Sequence, residues 1–119
     1  MKKKVIFGLF MLLGTSKVFS QTAITAKDAA KHINEQVTIT DKVFGGKFLS
    51  NSNITLLDIG GTHPNELLTL LIKGDDRKKF STPPEEAFKN KQVTITGTVI
   101  DYKGKPEIII TSPDQIKAQ

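Results

Sequence analysis

There is no cysteine and no tryptophan among the 119 residues, and tyrosine occurs once. A chain without cysteine cannot be a disulfide scaffold, cannot attack a substrate with a thiolate and cannot hold a metal through sulfur. Its core must hold by packing alone. Catalytic patterns are also lacking. No serine sits in a G-x-S-x-G setting, and neither Gly45-Gly46 nor Gly60-Gly61 has the spacing, the lysine or the following helix of a phosphate-binding loop. No H-x-x-x-H or EF-hand spacing occurs. The expectation is therefore a protein that is not an enzyme, with no cofactor and no metal. His32 falls in a helical stretch, and His63 reads as a turn residue that Asp58 could approach.

Charge of one sign is scarce once the chain is divided. The whole sequence carries 17 Lys plus Arg against 12 Asp plus Glu, a formal +5. Residues 1–20, however, read as a secretory signal peptide. Lys2, Lys3 and Lys4 form a positive start, Val5 to Gly14 an apolar run too short for a stable membrane span, and Val18 and Ser20 the small-residue cleavage site. The alternative is a buried N-terminal helix. Removing the segment takes four lysines with it and leaves 13 basic against 12 acidic residues, a net +1. Global charge therefore gives no argument for nucleic acid. The location expected is exported, periplasmic or secreted.

Residues 21–119 are the length of one domain, burying roughly 65% of its unfolded surface. Only four phenylalanines remain in this part, so the core should be aliphatic. Thr25 to Asp28 has the form of a helix start, and Ala29, Ala30 and Ile33 share a face, predicting a short helix over 26–34. Strands are predicted over 36–43, 54–59, 67–72, 92–100 and 107–111 from β-branched alternation and apolar runs. Phe44-Gly-Gly46 breaks the first alternation and predicts a bulge. Between the third and fourth strands, helical turns are predicted over 76–80 and from Thr82, with Thr82 and Glu85 as a capping box. Tyr102 to Lys105 reads as a hairpin turn, and Ile116 as the anchor of a tail lying across the domain. The pentapeptide QVTIT occurs at 36–40 and again at 92–96. The segments after the two copies differ, so the echo predicts two equivalent strands of one sheet, with Asp41 and Gly97 at bends.

This order makes the chain mainly β: a five-stranded Greek-key barrel, the OB-fold, with an N-terminal helix and a helical segment between strands three and four. A small open-sheet α+β sandwich is the competing architecture. The runs Leu57-Asp-Ile-Gly-Gly61, Pro64-Asn65, Gly74-Asp-Asp76, Lys79-Phe80, Gly97 and Tyr102-Lys-Gly-Lys-Pro-Glu-Ile108 resemble a bacterial OB-fold family akin to the tRNA-anticodon-binding OB domains, in its exported form. The resemblance spans residues 35–117 and implies nucleic-acid binding. His63 stands where the family pattern has an aromatic before the proline, and Leu68 where another aromatic is expected.

OB-folds bind on the face of their second and third strands, flanked by the loops joining strands one to two and four to five. Those two strands carry no aromatic residue here. Aromatics and lysines gather by the loops instead, giving a candidate nucleic-acid site of Lys42, Phe44, Lys47, Phe48, Tyr102, Lys103 and Lys105. Taken residue by residue, Phe44 and Phe48 read first as core residues, Tyr102 as a packing residue and the lysines as solubilising. Arg77-Lys78-Lys79 reads as a solvated helix face or a phosphate contact. Two functions stay open: a module for single-stranded DNA or RNA, or an envelope module for a protein or small ligand. In either case a monomer is expected, with no membrane span after signal cleavage.

Overall fold

The computed structural model describes residues 23–119; the export segment read at 1–20 lies outside the described residues. The two QVTIT copies pair with each other. In β2 (Gln36–Leu49) and β5 (Gln92–Tyr102), Thr38 faces Thr96, Ile39 faces Ile95 and Thr40 faces Thr94 across an antiparallel ladder. Alternation places both isoleucines inside with no exposure and both threonine rows outside. β3 (Ile54–Ile59), β4 (Leu68–Lys73) and β6 (Lys105–Ile109) complete a ring. β2 pairs with β3, β3 with β4, β4 in parallel with β6, β6 with β5, and β5 back with β2. The sheet has closed on itself, which removes its edges. The five-stranded barrel is therefore present, and the open sandwich is excluded.

Closure needs β2 to serve both halves of the ring, and it bends to do so. Its register shifts between Val43 and Gly45, leaving Phe44 as the extra residue of a bulge. The predicted break is thus a bulge inside one 14-residue strand rather than its end. Asp41 sits on the inner side just before this bend. Its carboxylate accepts from the Ala26 amide at 2.9 Å and the Lys42 amide at 2.8 Å, tying the N-terminal segment to the barrel end.

The core is sixteen buried aliphatic side chains, among them Ile39, Leu57, Leu70, Ile72, Ile95 and Ile108. Each fully buried Leu or Ile contributes about 1.5–3 kcal/mol relative to exposure. Phe80 and Phe88 close one side, edge to face at 6.3 Å between ring centres. Between β4 and β5 lie α1 (Gly74–Arg77) and α2 (Pro84–Ala87), each a single turn. The predicted Thr82–Glu85 capping box does not form. The cap position falls on Pro83 with no side-chain bond, because the Glu85 carboxylate turns to Arg77 instead.

The N-terminal helix is a 3-10 helix over Ala26–His32 that buries Ala26 and Ala29. Thr25 occupies its cap position without a side-chain bond, so the predicted capping contact is also absent. Two short strands lie outside the ring: β1 (Ala23–Ile24), parallel to β2, and β7 (Ile116–Ala118), antiparallel to β5. Ile116 is buried as expected of the tail. A 3-10 turn over Pro113–Gln115 leads into β7, closed by a capping box between Ser112 and Gln115. Among the described residues no helix is long and apolar enough to cross a membrane.

Candidate nucleic-acid interface

Cross-strand register sorts the residues of the barrel's outer face. Residues directly opposite each other share a side of the sheet. Lys47, Leu56 and Leu71 form one outward row, Leu49, Ile54 and Lys73 a second, and Gly45, Asp58, Thr69 and Glu107 a third. The hairpin between β5 and β6 adds Tyr102 and Lys105, which are paired neighbours. Its tip is Lys103 at φ 53° and Gly104 at φ 86°, the two positive angles that a tight primed turn requires. The turn directs both flanking side chains over the same face.

Most of these residues line a cavity of about 390 Å³. Leu49, Ile54, Leu56, Leu71 and Pro106 supply apolar walls; Tyr102, Lys105, His63, Glu66, Thr69 and Glu107 supply the polar lining. Its size is within the range of small-molecule sites. Tyr102 keeps 53% of its surface open, so its ring is available for stacking.

The polar wall is acidic. Glu107 is 6% exposed, and its carboxylate has no hydrogen-bond or ion-pair partner among the described residues. Burial holds its carboxyl above the ordinary carboxylate range. Asp58 is raised as well, first by burial and then by the nearby Glu66 charge, against smaller opposing effects of His63 and Lys47. Glu66 tucks its side chain in to 7% exposure while its carboxylate meets His63 Nδ1 at 3.2 Å. Gly60, at φ 80°, turns the chain out of β3, and the loop returns through His63 and Glu66 to β4.

The candidate set therefore divides. Tyr102 and Lys105 line the cavity. Lys47 stands on the same face, close enough to Asp58 to act on its charge. Lys103 lies over the Tyr102 ring at 5.4 Å. Lys42 and Phe44 form a separate exposed pair at the β2 bend, the ammonium 4.9 Å from the ring centre. Phe48 lies on the other side of the strand, opposite the fully buried Thr55. The Arg77 guanidinium covers its ring at 4.1 Å while Nε donates to Thr55 Oγ1 at 3.0 Å and Nη2 to Glu85 at 2.7 Å. Arg77 is thus a structural clamp. Lys79 is also engaged, donating to Asp76 and to the Thr111 carbonyl, both at 2.9 Å. Sequence reasoning missed Glu66 and Glu107, because only the ring closure brings them to one cavity.

A ring ordered β2-β3-β4-β6-β5, with helical turns between β4 and β5, defines the chain as an OB-fold domain. No protein-family model and no curated protein matches the sequence. Solved structures do. The chain is similar to an aspartyl-tRNA synthetase from Entamoeba histolytica, with TM-score 0.56, 15% identity and coverage of 82% of this chain and 21% of that one. It is also similar to a Leishmania major Friedlin chain described as an aspartyl-tRNA synthetase, with TM-score 0.53, 11% identity and coverage of 88% and 22%. This chain thus spans under a quarter of the length of either enzyme. At such identities the likeness is one of fold.

Proposed function

We propose that this domain is a non-enzymatic, monomeric binding module that holds single-stranded nucleic acid, without strong sequence preference, across the outer face of β3, β4 and β6. One observation carries the reading. The cavity with solvent-open Tyr102 and Lys105 lies on the face, and beside the hairpin loop, that OB-folds use for oligonucleotides. A base stacks on Tyr102 and enters the cavity, while Lys47, Lys103 and Lys105 meet phosphates on the rim. The buried carboxylates Glu66 and Glu107 accept from base N–H groups, which offsets their repulsion of the backbone. Likeness of fold to synthetases that act on tRNA supports the same reading.

Fluorescence anisotropy of labelled single-stranded DNA and RNA tests it. Three lysine–phosphate contacts predict a slope of about −2 in a plot of log affinity against log salt. Absence of binding even at low salt would sink the proposal. That outcome would favour a second reading, for which the acidic wall is the specific support: an amine-bearing small ligand or a basic segment of an envelope protein in the same cavity. We further propose that the protein is exported, on the pattern of Lys2–Lys4, Val5–Gly14 and Ser20. Intact mass of the protein recovered outside the cytoplasm should then correspond to a chain starting near Gln21.

A further inference from the structure

We propose that Asp58, His63 and Glu66 form a binding site for a divalent transition cation such as Zn²⁺ at the mouth of the cavity. One ligand atom from each lies within 4.8 Å of the others. The three come from three positions along one short stretch: the end of β3, the turn and the approach to β4. The donor set is one imidazole nitrogen and two carboxylate oxygens, a combination that zinc accepts with water in the fourth place. In a tetrahedral site, donors at about 2.0–2.2 Å from the ion lie about 3.3–3.6 Å apart. The site therefore closes by up to about 1.5 Å, which movement of the exposed His63 turn can supply.

A second observation points to a cation independently of this triad. Glu107, nine-tenths buried and without a partner, faces the same cavity as His63 and Glu66. Glu66 and Glu107 both line this mostly apolar cavity, and carboxylates are costly to keep in such a place uncompensated. The surrounding cations do not meet the need. Lys47 and Lys105 form no ion pair among the described residues, and His63 makes its bond to Glu66 from a solvent-exposed position. The molecule also contains its own comparison. His32 and Glu35 make a similar contact, 2.9 Å between Nδ1 and Oε1 three residues apart, but among the described residues no third ligand converges on them.

Isothermal titration of the untagged protein with Zn²⁺ tests the site, with the melting temperature measured with and without the metal. One Zn²⁺ per chain is expected, together with a metal-dependent rise in melting temperature. His63→Ala, an exposed substitution, should weaken binding by about tenfold or more, and Asp58→Asn should do likewise. His32→Ala should leave it unchanged. Melting temperatures of the metal-free variants near that of the parent show that loss of binding is not loss of fold. No binding at millimolar Zn²⁺ would overturn the proposal. So would unaltered binding in His63→Ala, or loss of binding in His32→Ala.

Discussion

Phe48 and Tyr102 are both solvent-open aromatics with a cation over the ring, and they serve opposite ends. The Arg77 guanidinium over Phe48 is fixed at two further points, Thr55 and Glu85, so ring, cation, hydroxyl and carboxylate form one closed assembly. Lys103 over Tyr102 has no ion pair among the described residues and sits at a hairpin tip. Its ammonium can leave the ring for a phosphate at little cost. Exposure alone therefore does not mark a binding aromatic. What distinguishes the two is whether the cation is committed elsewhere, and that depends on the side of the strand each residue occupies.

Separating stability from binding would break or sharpen this contrast. The largest effect is expected from Arg77→Ala. It strips Phe48 of its cover and leaves the Glu85 carboxylate, whose Oε1 is already buried without a partner, wholly unpaired. The pair is partly exposed, so a loss of about 2–3 kcal/mol is expected, at the lower edge of values for broken buried pairs. Urea denaturation would measure it. Binding of single strands by the folded fraction should hardly change. Tyr102→Ala should do the reverse: stability within about 0.5 kcal/mol of the parent, and binding weaker by about 1–2 kcal/mol, or roughly tenfold. Equal effects of the two substitutions on anisotropy would remove the distinction.

Much of the fold was legible because its causes are local. β-branched alternation marks β2 and β5, the Lys103-Gly104 turn marks the hairpin, and the repeated QVTIT marks two strands that prove to be partners. The helical turns were less legible. Thr82 and Glu85 have the right spacing for a capping box, but a charged partner eight residues away in sequence competes for the glutamate and wins. Site residues divide by the same principle. Tyr102 and Lys105 flank one turn and could be placed from sequence. Phe48 could not, because a strand with a bulge changes the face of everything beyond it. Glu107 looks in sequence like an ordinary charged strand residue, and only closure of β6 against β4 and β5 buries it.

Glu107 gives the smallest predicted effect and the one most specific to the cavity. Burial raises its folded pKa above the ordinary 4.5. In the unfolded chain the proton leaves around 4.5, whereas in the fold it stays on to higher pH. Between those values the folded state binds more protons, so stability falls as pH climbs through the window and is level above it. Glutamine cannot ionise and keeps the shape. Glu107→Gln should therefore melt at a higher temperature than the parent at about pH 8, with the advantage disappearing by about pH 4. Asp58 has a raised carboxyl too, but it is present in both proteins and cancels in the difference. Melting curves that run parallel across this range would mean that Glu107 already has compensation in solution. A Zn²⁺-dependent narrowing of the gap would identify a cation in the cavity as its source.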